Sequence, residues 1–114
     1  MANVSNQLAA LGDPTRRQIF ELVAEQPRSV VQITRCVRVT QSAVSQHLRV
    51  LRESQLVHAV PKGASNVYYI DPHGLGQMRA WLDRYWSRTL AAYKAVSEQP
   101  PEEHKSTDIF LSLP

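Results

Sequence analysis

The chain has 114 residues, with 13 Lys and Arg against 10 Asp and Glu, a formal net charge of +3, and 43% apolar residues. A domain of this size hides roughly two thirds of its unfolded surface, which supports one core without disulfide or metal staples and excludes a two-domain enzyme. The lone Cys36 excludes an internal disulfide and a multi-thiolate zinc site, and no leader or run of about 18 apolar residues is visible, so the expectation is a cytoplasmic protein with no membrane partner.

Val4, Leu8 and Leu11 follow i, i+4, i+7 and predict a short amphipathic helix ending near Gly12. Asp13-Pro14 supplies an N-cap and a first-turn proline for a second helix, whose stripe of Ile19, Leu22 and Val23 runs to about Glu25, before Pro27. Ser29-x-x-Gln32 is a capping box for a third helix with Val30, Ile33 and Val37 inward, stopping near Arg38. Thr40 caps a fourth helix in which Val44, Leu48 and Leu51 face inward while Gln41, Ser42, Ser45, Gln46, Arg49 and Arg52 face out. Two short helices joined by a turn of three or four residues make a helix-turn-helix.

After Glu53 the period becomes alternating. Residues 56–60 and 67–70 read as the strands of a β-hairpin around a six-residue loop, Pro61 to Asn66, that projects as a wing. Asp71-Pro72 repeats the cap-plus-proline signal, and Leu75, Met78, Leu82, Tyr85, Trp86, Leu90, Tyr93 and Val96 continue at helical spacing towards Pro100-Pro101. This stripe is longer than so small a fold can cover, so a second copy of the chain is expected to cover it. The expected fold is mainly α with a small β-hairpin, a winged helix-turn-helix over residues 1–98, followed by a flexible tail over 99–114. No internal repeat is present.

The charge is unevenly placed. Residues 14–70 carry eight basic and three acidic side chains, while residues 71–114 carry five and six. A polyanion would therefore meet the middle of the chain. With its apolar side committed to the core, the fourth helix turns Ser42, Ser45, Gln46 and Arg49 to one face, joined in the first turn by Gln41. Gln pairs bidentately with adenine, Arg with guanine, and Ser with a base or phosphate, which suits the major groove of double-stranded DNA. Phosphate contacts are expected from Arg16, Arg17, Arg35, Arg38, Arg52 and Lys62.

Leu11-Gly12-Asp13-Pro14-Thr15-Arg16-Arg17, the run Gln41 to Glu53 containing Ser-x-His-Leu-x-x-Leu, and Val67-Tyr68-Tyr69 resemble the ArsR/SmtB winged-helix repressors over about residues 5–97. The resemblance implies a bacterial or archaeal repressor, dimeric through its first and last helices, that binds a palindromic operator and often represses its own operon. It places Gln41, Ser42, Ser45, Gln46 and Arg49 on the DNA-reading helix and Lys62 to Asn66, including Ser65 and Asn66, on the wing. Val4, Leu8, Leu11, Leu75, Met78, Leu82, Tyr85, Trp86 and Tyr93 then become the expected dimer residues.

Two positions depart from the family pattern. Gln55 stands where members often have glycine, at a cost of about 1 kcal/mol if the position is left-handed. The wing tip has Ala64, Ser65 and Asn66 where an arginine is common. The family's metal sites are also incomplete. The thiolate positions fall at Ser29, Val31 and Thr34, and Asp71-x-His73 is followed by Arg84 and Ser87 where further ligands belong, so neither metal nor cofactor is expected. Asp71 reads instead as an N-cap, Cys36 as a small buried hydrophobe beside the third-helix stripe, and His47 as packing. The leading expectation is a dimeric autorepressor that needs no metal. A repressor gated by zinc, thiol oxidation or a small molecule, and a protein-interaction module without DNA binding, stay open. No glycine-rich phosphate loop, flanked nucleophile or paired ligand set points to an enzyme.

Overall fold

The computed structural model describes residues 3–97, so the expected tail lies outside the described residues. The described residues form five α-helices and three short strands, in two compact units, one ending at Arg79 and one beginning at Ala80.

In the first unit, α1 (Val4–Gly12) starts on Asn3, whose side chain accepts from the Asn6 N–H, and buries Gln7 and Ala10. The buried face is thus offset from the predicted Val4, Leu8, Leu11 stripe, and Leu8 is 43% exposed. α2 (Pro14–Glu25) begins as its Asp13-Pro14 signal predicts, with Asp13 Oδ1 accepting from the Arg16 N–H at 3.0 Å. Ile19 and Val23 are sealed in the core, whereas Leu22 is only half-buried.

Arg28–Ser29 forms a strand, β1, that the sequence pattern does not reveal, because two residues are too few to display an alternation. The capping box follows it directly: Ser29 Oγ accepts from the Gln32 N–H and Gln32 Oε1 from the Ser29 N–H. α3 (Val30–Thr34) is shorter than predicted and ends four residues before Arg38. Three β-branched residues before Thr34 weaken the helix, and Thr34 Oγ1 bonds back to the Val30 carbonyl. The Cys36 N–H then closes a tighter bond to Ile33, leaving Arg35 to Thr40 as the turn.

α4 (Gln41–Glu53) is capped by Thr40, whose hydroxyl accepts from the Ala43 N–H, and seals Val44, Leu48 and Leu51 completely. Its end is a Schellman motif. The Leu56 N–H reaches the Leu51 carbonyl and the Gln55 N–H the Arg52 carbonyl, with Gln55 left-handed at φ +61°. The family's usual glycine would have met that conformation without strain.

β2 (Val57–Lys62) and β3 (Ser65–Ile70) pair antiparallel, and β1 joins the free side of β3, giving the order β1-β3-β2. Pairing continues to Lys62 opposite Ser65, so the connection is the two-residue turn Gly63-Ala64 and not a six-residue loop. Gly63 at φ +61° supplies the left-handed first position that a two-residue hairpin demands. Val57, Ala59 and Tyr68 share the core face, which packs with α2 and α4.

α5 (Pro72–Ser97) is capped by Asp71, whose Oδ1 accepts from the His73 N–H. It is fastened to the end of α4 by two backbone bonds, Asp71 N–H to Leu56 O at 2.9 Å and Gly74 N–H to Gln55 O at 3.0 Å. Gln7 Nε2 also donates to Gln77 Oε1 at 2.7 Å, while the buried Gln7 Oε1 has no partner in the structure. In the second unit, Trp81 and Tyr85 meet edge to face at 5.2 Å, Arg88 lies over the Tyr85 ring, and Leu82 is 58% exposed. Helix-turn-helix plus hairpin is the winged helix-turn-helix arrangement.

Candidate nucleic-acid interface

The sealed face of α4 leaves Gln41, Ser42, Ser45, Gln46, Arg49 and Arg52 exposed. Four of them, Ser42, Ser45, Gln46 and Arg49, line one shallow depression. Beside it Ser45, Arg49, Arg52 and Glu53 line a groove whose other wall includes Tyr68 of β3. The structure therefore brings four of the five predicted reading residues together on one surface of donors and acceptors, with Gln41 exposed at the start of the same helix. Arg49 Nε lies 3.4 Å from Glu53 Oε2, with both side chains largely exposed. Such a solvated pair holds its partners weakly and leaves the guanidinium free to exchange carboxylate for a base edge or phosphate.

The predicted phosphate contacts occupy three settings. Arg35 and Arg38 are exposed in the turn before α4, and Arg52 lies on α4 itself. Arg16 and Arg17 are engaged locally: Arg16 Nε donates to the Ala10 carbonyl at 2.7 Å and Arg17 Nη1 to the Leu11 carbonyl at 2.8 Å. Together they satisfy the last carbonyls of α1, a helix with no basic residue in its own last turn. Arg16 Nη1 also sits 3.4 Å from His47 Nδ1, so His47 joins a polar contact where simple packing was expected. Because an arginine only donates, this contact has Nδ1 as acceptor. Arg16 likewise holds the Asp13 carboxyl below its ordinary range, chiefly through the backbone N–H bond of the helix cap.

On the wing, Lys62 Nζ lies 5.9 Å from the centroid of the Tyr69 ring, which stacks on His58 at 5.5 Å. The register puts Ser65, opposite Lys62, on this outer face and Asn66, opposite Pro61, on the other. The two predicted wing contacts thus point to different sides of the hairpin.

Cys36 is exposed, contrary to the expectation of a buried thiol, because α3 has ended and Cys36 lies in the turn. Its Sγ is 3.9 Å from Arg28 Nη1. At the aligned metal positions, Ser29 caps α3 and Thr34 bonds to Val30, and Asp71 caps α5. Among the described residues no three His, Cys, Asp or Glu side chains converge.

Of the expected dimer residues, Leu8, Leu75, Leu82, Tyr85 and Trp86 are exposed, while Val4, Leu11, Met78 and Tyr93 are half-buried. Leu11 and Met78 pack against the chain's own core, so part of that predicted stripe serves the fold. Sequence reasoning missed two residues that shape this region, Arg28 and Tyr68. Arg28 Nε donates to the Leu22 carbonyl at the end of α2 and Nη2 pairs with Glu25, closing α2 onto β1. In the sequence Tyr68 reads as a strand residue within the Val67-Tyr68-Tyr69 segment, with no site role. The alternation Val67, Tyr68, Tyr69, Ile70 does not say which tyrosine turns towards α4.

Residues 13–59 match the family model described as bacterial regulatory protein, arsR family. The chain is 46% identical over 94 residues to the HTH-type transcriptional regulator Rv2034 of Mycobacterium tuberculosis, covering 82% of this chain and 88% of that protein. Among solved structures it is similar to a possible transcriptional regulator for arsenical resistance, with a TM-score of 0.64 and 36% identity over 76% of this chain and 95% of that one. It also resembles the homodimeric winged helix-turn-helix DNA-binding domain of Mb0332 from Mycobacterium bovis, with a TM-score of 0.60 and 25% identity over 74% of this chain and 78% of that one.

Proposed function

Because this chain belongs to the arsR family of bacterial regulatory proteins, DNA-binding transcriptional regulators, we propose that it acts as a homodimeric repressor of a bacterial operon in the cytoplasm, binding a palindromic operator without a metal. The observation that carries this reading is the exposed polar face of α4, set on a helix whose opposite face is completely sealed. A helix so anchored presents its outer residues at fixed positions. Gln46 and Arg49 are then the base-reading residues, Ser42 and Ser45 contact bases or phosphates, and Gln41 lies at the helix start, where the dipole favours phosphate. Arg35, Arg38, Arg52 and Lys62 supply phosphate contacts, with Arg16 and Arg17 contributing what their α1 bonds leave free.

Dimerisation through α1 and α5 would remove Leu8, Leu75, Leu82, Tyr85 and Trp86 from water, and it is supported by the exposure of these five large apolar side chains. Two-fold symmetry then places two α4 helices in major grooves about one helical turn apart, which calls for a palindrome. Metal independence is supported by the structural duties of Ser29, Thr34 and Asp71 at positions where a metal sensor needs ligands.

The test is selection of duplexes from the fragmented source genome by the purified, reduced protein at physiological salt. Recovery of a palindromic site near the protein's own gene is the expected result, and Gln46→Ala should weaken that site by about 1–3 kcal/mol and random DNA by less. Equal losses on both would refute base reading by Gln46. Release of the bound DNA by stoichiometric zinc or oxidant would replace metal independence with a gated repressor. A folded protein that selects no DNA would point to an interaction module.

A further inference from the structure

Tyr68 occupies the central strand of the sheet, opposite Ala59 on one side and Arg28 on the other, with its ring in the core and the residue only 7% exposed. Its hydroxyl has no hydrogen-bond partner among the described residues, yet it is not among the polar atoms sealed from solvent. The phenol therefore meets water at its polar end, and Tyr68 lines the groove formed with Ser45, Arg49, Arg52 and Glu53. A buried ring with one wet hydroxyl that no protein group engages keeps a fixed donor free to exchange its water for an acceptor arriving from outside.

We propose that this groove seats one phosphate of the DNA backbone and that the Tyr68 hydroxyl donates a hydrogen bond to it. The inference rests on the proposed approach of the α4 face to DNA and adds a contact from the sheet. The groove offers two hydroxyl donors, from Ser45 and Tyr68, and the Arg52 guanidinium, with the base-reading Arg49 adding its positive charge at the edge, against a single carboxylate. Glu53 would repel a phosphate, but its Oε2 lies 3.4 Å from Arg49 Nε, and the net charge of the lining stays +1. A phosphodiester carries one negative charge and presents only acceptors, which matches this inventory.

Tyr68 differs from the arginines in one physical respect. Arg49 and Arg52 sit on long exposed side chains and follow a phosphate wherever it lies, whereas the Tyr68 ring is held by the core and cannot swing out. A phosphate accepted there is fixed relative to both the sheet and α4. Tyr68 is thereby a register-setting contact, fixing the depth at which Gln46 and Ser42 enter the groove.

The experiment uses the full chain and Tyr68→Phe, which keeps the ring and removes only the hydroxyl. Affinity is measured for a duplex selected by the wild-type protein and for a random-sequence duplex, each also prepared with single neutral methylphosphonates stepped along one strand. The expected result is a loss of about tenfold on the selected duplex, with an unchanged salt slope because no cation is lost. At one phosphate in each half-site, methylphosphonate should weaken the wild type more than Tyr68→Phe, in which the Arg52 and Ser45 contacts remain but the Tyr68 bond is already lost. That comparison is made within each protein, so a fall in folded fraction cancels. Binding within twofold of wild type, or an unaltered methylphosphonate profile, would overturn the contact. If wild type binds neither duplex, the DNA-binding reading fails first and this contact with it.

Discussion

Two glycines of α5, two residues apart, should respond in opposite directions to the same substitution. An alanine Cβ at Gly74 would lie 2.1 Å from the Gln55 carbonyl oxygen, 2.6 Å from its carbon and 3.1 Å from the Ser54 oxygen. The obstacle is backbone, and that backbone is itself held by the Schellman end of α4 and the left-handed Gln55. To reach ordinary contact the start of α5 must retreat by more than an ångström, stretching the bonds from Gly74 N–H to Gln55 and from Asp71 N–H to Leu56. Losing two such bonds costs about 1 kcal/mol each and the displaced packing about 1–3 kcal/mol, against a gain of about 1 kcal/mol in helix propensity. Gly74→Ala should therefore destabilise the fold by about 2–4 kcal/mol. At Gly76 nothing lies within 4 Å of the added Cβ, so Gly76→Ala should stabilise by about 0.5–1 kcal/mol. Equilibrium urea unfolding at one fixed protein concentration reads both, since the stability of the proposed dimer would depend on concentration. A Gly74→Ala protein as stable as wild type would refute the close approach of α5 to the end of α4.

Gln55→Gly should stabilise by about 0.5–1 kcal/mol in the same assay, because the left-handed strain exceeds the entropy that glycine adds to the unfolded chain; a loss of stability would show that the Gln55 side chain contributes more than its backbone costs. Asp13→Ala should lower the melting temperature at neutral pH. Since folding lowers the Asp13 pKa, the cap's contribution is present above the ordinary value of 3.8 and disappears as pH falls through the lowered one, so wild type and variant should converge in acid. A gap that stays constant across that range would contradict the charged cap. Arg52→Gln should weaken selected and random duplexes alike and reduce the slope of log affinity against log salt by about one per protomer, measured by titration at several salt concentrations; an unchanged slope would remove Arg52 from the phosphate contacts.

The helix starts were legible because each is written in a few adjacent residues. Asn3, at the start of α1, was the one N-cap not read, whereas Asp13, Ser29, Thr40 and Asp71 all cap helices where their side chains and the following proline or glutamine say they should. The inward face of α4 was legible for a related reason: Val44, Leu48 and Leu51 repeat with the helix period, and a stripe of that spacing has one side to bury. The outer face with Ser42, Ser45, Gln46 and Arg49 follows as its geometric complement.

Features that depend on distant partners were not legible. β1 exists because Arg28 and Ser29 meet Tyr68 and Val67 across the chain, and two residues carry no pattern of their own. The early end of α3 reflects a Thr34 hydroxyl turned back on Val30, a local alternative that the apolar stripe through Val37 hides. Register shortened the wing to Gly63-Ala64 and sent Ser65 and Asn66 to opposite faces. Arg16 and Arg17, counted by charge, spend hydrogen bonds on α1 carbonyls six residues earlier. Tyr68 shows the division most clearly. Alternation says that one of Tyr68 and Tyr69 faces the core, but which of them also reaches the α4 groove is set by pairing with β1 and β2. Caps and periodic stripes are short-range, with their energy contained within a few residues of chain. Strand register and the environment of a side chain are long-range, fixed only when segments far apart in sequence pack together.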